Sequence, residues 1–218
     1  VILGVAFLAA TLVLGDTMRS SFQGQFDEAN AGTDLVVRNP DGVGSGESFD
    51  RGPTDMALAD ELAAVDGVAV AVPRIEGQVQ IEGADGDPLG GGGPPMLAGN
   101  WVDDEEINPW RIVAGRAPGA ADEVVIDRGS ATDGDLHVGD TTTVRTPEPR
   151  TVEVVGIASF GDQDSLSSAT YVAYETAAAQ ALLERPGEVS NIALRADEGV
   201  SPDQLRRAVA PVIGDQLE

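Results

Sequence analysis

The sequence predicts an α+β fold: an α/β lobe made of two strand–helix halves, a mostly-β lobe inserted between them, and the end of a transmembrane helix ahead of both. Three observations predict it. An uncharged apolar run opens the chain, a strand–helix grammar occurs twice about a hundred residues apart, and short β-branched runs dominate the stretch between the two copies. The expected boundaries are 1–26 for the helix and its extension, 33–98 with 188–218 for the α/β lobe, and 99–187 for the inserted lobe. The core has to be assembled mainly from Val, Leu, Ile and Ala, because 42% of residues are apolar and only 4% aromatic.

Residues Val1 to Leu14 carry no charge, and Gly15, Asp16, Thr17, Met18 and Arg19 end the run. Fourteen helical residues span about 21 Å, short of the roughly 30 Å hydrocarbon core. The segment therefore reads as the last part of a membrane helix that continues through Phe22 and Phe26, four residues apart on one face. A signal-peptide core and a buried helix are the alternatives, although no A-x-A site follows the run directly.

Asp34–Val37 is a short apolar strand, and Asn39 to Gly52 a Gly-, Asp- and Ser-rich loop. A helix is expected next, with Thr54 as N-cap, Leu58, Leu62 and Val65 on one face, and Gly67 where a left-handed C-cap would end it. Val68–Val72 follows as a strand closed by Pro73, and Gln78–Glu82 alternates beyond it, so this half is a β-α-β unit. In the second half, Asn191–Arg195 is a strand and Ser201 opens a helix with Pro202 at its first position and Gln204 completing a capping box. Leu205, Val209, Val212 and Ile213 form its apolar face, and Gly214 stops it. The inserted lobe reads as short strands, among them Glu123–Ile126, Thr142–Val144 and Val152–Ile157, with one convincing helix around Thr176 to Leu183. Gly83 to Pro95, with four consecutive glycines at 90–93, reads as a flexible surface loop between the lobes.

Net charge and residue usage exclude several functions. The formal charge is −24, and all 13 basic residues are Arg, so nucleic acid is not an expected partner. No cysteine is present, which removes disulfides, thiolate metal sites and cysteine nucleophiles together. The glycine run is followed by no Gly-Lys-Ser/Thr, so it is no phosphate cradle. His137 is the only histidine and is expected in an exposed turn, without a partner for a metal or a triad. The carboxylates Asp103–Glu106, Asp85 with Asp87, and Asp162 with Asp164 lack calcium-loop spacing and read as solvated loops. Trp101 and Trp110 bracket the first of these runs and are expected in core or lobe-interface packing. No catalytic, cofactor-binding or metal-binding residue is expected, and the chain does not read as an enzyme.

Four segments taken in order, Ile112–Pro118 (I-V-A-G-R-A-P), Asp122–Asp127 (D-E-V-V-I-D), Leu136–Asp140 (L-H-V-G-D) and Val152–Ile157 (V-E-V-V-G-I), resemble the MacB-type core domain of FtsX-like ABC transporter permeases. Val65–Val68 is similar to that pattern too, and the order and spacing match over nearly the whole chain. The resemblance implies an α/β porter-like lobe with an inserted β-rich lobe, on the outer side of the cell membrane, between the first and second of four transmembrane helices. It also implies a cytoplasmic ATP-binding subunit, a second permease copy and membrane lipid as partners. A peptide, lipoprotein, small molecule or cell-wall hydrolase would be the object of the work. A secreted or anchored binding module without transport activity is the alternative. The Gly83–Pro95 loop and the Asp103–Glu106 run have no counterpart in the pattern.

Overall fold

A computed structural model describes residues 30, 32–40, 52–90, 96–146, 148–167, 169–214 and 217. Its elements are β1 (Leu35–Val37), β2 (Thr54–Asp55), α1 (Leu58–Ala63), β3 (Val68–Arg74), β4 (Glu76–Gln78), β5 (Gln80–Ile81), β6 (Met96–Asn100), β7 (Trp110–Gly115) and β8 (Glu123–Asp127). They continue with α2 (Arg128–Asp133), β9 (Thr141–Thr146), β10 (Glu148–Phe160), β11 (Thr170–Tyr174), α3 (Thr176–Leu182), β12 (Glu188–Val189), β13 (Asn191–Ala196) and α4 (Pro202–Ile213).

The two strand–helix halves meet in a small sheet of order β1-β13-β3, both pairings antiparallel, so β1 and β3 run parallel on either side of β13. The first half is thus a β-α-β unit split by the last strand of the chain. Val37, Leu62, Ile192, Leu194, Leu205 and Val209, each at most 1% exposed, join sheet and helices in one core. The α4 start is as expected: Ser201 Oγ accepts from Gln204 N at 3.4 Å, Gln204 Oε1 accepts from Ser201 N at 2.9 Å, and Pro202 stands in the first turn.

Two local expectations need correction. Thr54 is not an N-cap: it lies in β2, paired with Val189 of β12, and α1 starts four residues later with no side-chain cap. The short β2–β12 ribbon takes up its backbone instead. Nor does Pro73 close β3, which runs on to Arg74 with Pro73 opposite Ile192. The Pro73 carbonyl accepts from Asn100 Nδ2 at 3.0 Å, so this backbone edge faces away from β13 and the missing N–H costs no ladder bond.

The second sheet has the order β4-β6-β11-β8-β10-β9-β5. Only Val79 separates β4 from β5, so one bent segment pairs with β6 at one end and with β9 at the other, and the sheet curls closed. Residues 76–81 and 96–98, read from the sequence as α/β lobe, are thereby strands of the β-rich sheet. Closure leaves β7 as the outlying strand, antiparallel to the second half of the 13-residue β10, whose first half pairs with β9. Side-chain alternation sorts the strands into two cores. Val124, Ile126, Val172 and Tyr174 face the main core, whereas Val125, Ala158, Phe160 and Ala173 face a smaller cluster around Trp110.

Helix α3 is where the sequence places it, but α2 was missed. Asp127, the last residue of β8, caps α2 by accepting from Ser130 N at 3.0 Å. It is fully buried and also accepts from Tyr171 N at 2.8 Å and from the Ser130 and Ser165 hydroxyls. The described part of the glycine-rich segment is an ordered turn. Gly83 N donates to Asp87 O, Leu89 N to Ile81 O, and Asp87 N to the Asp85 carboxylate. Residues 1–26, read as the membrane helix, and 91–95 lie outside the described residues. Among the described residues no helix is long and apolar enough to cross a membrane.

Candidate functional site

The entry strand, the small sheet and the closed β-sheet converge at one junction. Thr33 and Asp34 lead into β1, where Asp34 N donates to Leu194 O and the Asp34 carboxylate accepts from Ala196 N, both on β13. Arg74, at the end of β3, donates to Thr33 Oγ1 at 3.2 Å and to Ile107 O at 2.8 Å. One guanidinium therefore ties the entry segment to the 104–107 turn. Burial lowers the Arg74 pKa, and nearby Glu76 and Tyr171 oppose that shift. Its ordinary value is so high that Arg74 stays charged.

Arg195 of β13 reaches the same turn, with one nitrogen 2.5 Å from Glu106 and another 3.6 Å from Asp104. Asp104 in turn accepts from the Glu106 and Ile107 backbone N–H groups, and Ile107 is fully buried. The acidic run read as a solvated loop is thus partly a structural clasp, while Asp103 and Glu105 remain exposed. Contact is close on the entry side. Gly32 has φ +70°, and a Cβ there would stand 1.9 Å from the Glu106 carbonyl oxygen. Asn100 completes the junction by accepting from Ile75 N at 2.7 Å and donating to Pro73 O and to Thr176 Oγ1.

The four sequence segments singled out above form a second cluster. Gly115 and Gly156 are direct β7–β10 partners. A Cβ on Gly115 would lie 2.1 Å from Val155 O, and one on Gly156 would lie 2.3 Å from Arg116 O. Only glycine permits this approach. Arg116, immediately after the turn, makes a forked pair with Glu123 at 2.7 and 2.5 Å, and Glu123 also accepts from Gly119 N at 2.8 Å. Arg116 foremost, and Gly119 after it, hold the Glu123 carboxyl down at about 2. The Val138–Gly139–Asp140 turn closes the other side: Gly139 N donates to Val154 O and Val154 N to Asp140 O, both at 2.8 Å, beside the β10 bulge between Val154 and Gly156.

Trp110 is buried, stacked on Tyr171 with centroids 4.1 Å apart and edge-on to Phe160 at 5.1 Å, and Trp101 packs on the same cluster. Core packing is therefore the role of both tryptophans. His137 is exposed, its Nδ1 3.5 Å from the Asp140 carboxylate. Asp164 pairs with Arg128, while Asp162 is exposed on the same turn. The described residues hold no cluster of metal ligands. Sequence reasoning missed the clasp arginines Arg74 and Arg195. An Arg ending an apolar strand was the available signal, but its acceptors lie 33 and 89 residues away in the chain.

Relatives of known structure share this fold. The fold is similar to the crystal structure of the periplasmic region of MacB from Actinobacillus actinomycetemcomitans, at a TM-score of 0.60 and 13% identity over 85% of this chain and 87% of that one. It is also similar to the extracellular domain of the noncanonic ABC-type transporter YknZ from Gram-positive bacteria, at a TM-score of 0.52 and 14% identity over 82% and 89% of the two chains. Among curated proteins no sequence match is found. The family model for the MacB-like periplasmic core domain matches residues 1–212 of the 218, and the chain therefore belongs to that family of ABC transporter permease domains.

Proposed function

We propose that the chain is a non-catalytic coupling domain on the outer side of a cell membrane, carrying movement of a permease helix, driven by a cytoplasmic ATP-binding subunit, to export or to envelope work. The supporting observation is the junction: residues 32–37 are held by β13, by Arg74 and by the Glu106 backbone at once. Displacement of the entry segment has little slack in which to dissipate, because Arg74 also binds the 104–107 turn and Arg195 ties β13 to the same turn. The apolar residues Val1–Leu14, earlier in the sequence, supply the membrane end of such a lever. Working as a pair with a second permease copy belongs to this reading.

The test uses the full-length permease with its ATP-binding subunit in lipid nanodiscs. A fluorophore at exposed Asp162 reports its distance to acceptors on the lipid headgroups. Nucleotide trapping is expected to change that distance, and the double variant Arg74→Gln/Arg195→Gln is expected to keep ATPase activity while losing the change. A distance that ignores nucleotide in the parent protein rejects the coupling reading. Failure to copurify with an ATP-binding subunit points instead to an anchored binding module.

A further inference from the structure

Beneath α3, where it crosses the end of the closed sheet, lies a cavity of about 250 Å³. Its deep wall is made by Val152, Tyr174, Ala178 and Leu182, all buried, and its rim includes the exposed Asp122 and Arg150. Apolar depth with a few polar groups is the usual make-up of a ligand pocket, and this volume lies just below the usual range, which suits only a small ligand.

The polar groups single this cavity out. Tyr174 is 2% exposed, yet its hydroxyl has no hydrogen-bond partner among the described residues, whereas buried hydroxyls are nearly always paired. Arg150 stands near enough for its charge to oppose the upward push that burial gives the Tyr174 phenol. Neither Arg150 nor Asp122 is committed to a side-chain ion pair among the described residues. A donor pair, one charged and one neutral, therefore borders an apolar pocket in a protein whose net charge of −24 repels anions elsewhere.

We propose that this cavity binds a small aliphatic carboxylate, its acid group set between the Arg150 guanidinium and the Tyr174 hydroxyl and its hydrocarbon body among Val152, Ala178 and Leu182. Asp122 across the rim offers an acceptor for an N–H on the carbon next to the carboxylate. A free aliphatic amino acid and the C-terminal residue of a peptide share this chemistry. The proposal goes beyond the coupling reading and does not depend on it, since binding needs neither membrane nor nucleotide.

Calorimetric titration of the full chain tests it with four probes: leucine, leucinamide, a tetrapeptide ending in leucine acid and the same peptide amidated. One or both acids are expected to bind, with each amide at least roughly tenfold weaker than its acid, the cost of losing a charge-assisted contact. Tyr174→Phe keeps the ring and the fold and is expected to weaken binding roughly tenfold; Arg150→Gln is expected to weaken it further. Ala178→Leu fills the cavity and is expected to abolish it. Binding of leucine alone identifies a free amino acid, and binding of the peptide acid alone identifies a chain end. Absence of binding by both acids up to about 10 mM, a level near the weak limit of specific recognition, overturns the proposal. So does equal binding of acid and amide, or parent-like affinity in both polar variants.

Discussion

Gly115→Ala is expected to be among the most costly single-methyl changes in this chain, and the reason separates into two parts. Gly115 has φ +74°, a left-handed conformation that costs an L-residue about 1–2 kcal/mol. Its added Cβ would also stand 2.1 Å from Val155 O and 3.0 Å from Gly156 Cα, so the β7–β10 pairing has to open. Overpacking of this kind costs about 1–3 kcal/mol. The 2.9 Å bond from Arg116 N to Val155 O adds about 1 kcal/mol if it breaks. The sum is on the order of 3–6 kcal/mol, or a melting temperature lower by roughly 6–24 °C for a chain of this size. Gly139→Ala is the control, because Gly139 has φ +98° but nothing within 4 Å of an added Cβ. It should lose only about 1–3 kcal/mol. Urea unfolding of both variants, with m-values checked against the parent, measures the difference. Equal losses would show that backbone conformation alone explains these glycines and that their close approach to β10 contributes nothing.

Leu205→Ala removes a fully buried side chain from the core under α4 and should cost about 2–5 kcal/mol by the same unfolding measurement. Arg74→Ala leaves Ile107 O and Thr33 without their donor and should cost about 1.5–3 kcal/mol, with faster amide exchange in β1 and the 104–107 turn as its signature. Glu123 should shape the acid limb of stability. Its folded pKa of about 2 lies below the ordinary glutamate value, so its contribution is complete above that ordinary value and disappears as pH falls through about 2. Glu123→Gln should flatten the loss of stability in that window and leave the slope near neutral pH unchanged.

Much of the small sheet was legible from local pattern. Ser201, Pro202 and Gln204 announce α4 because a capping box is built within four residues, and Leu58 with Leu62, like Leu205 with Val209, announces a core-facing side of its own helix because helical spacing alone sets each pair on one face. The start of α1 was misread because Thr54 matches a cap in isolation, and only its pairing with Val189 puts it in a strand. Strand Val68–Arg74 outlasted its proline for a similar reason: which edge faces Asn100 is invisible along the chain. The family segments were recognisable as turn-and-strand grammar, yet their purpose as a Gly115–Gly156 contact locked by Arg116 and Glu123 was not.

Periodicity, capping and composition thus determined the fold class and the order of most elements, because each acts within a few residues. The closing of the second sheet by the 76–81 segment, the clasp of Arg74 and Arg195 on the 104–107 turn, and the pocket beneath α3 were decided by tertiary structure alone. Each joins residues about 30 to 90 positions apart, and no local energy term specifies which distant partner a strand edge or a guanidinium will meet.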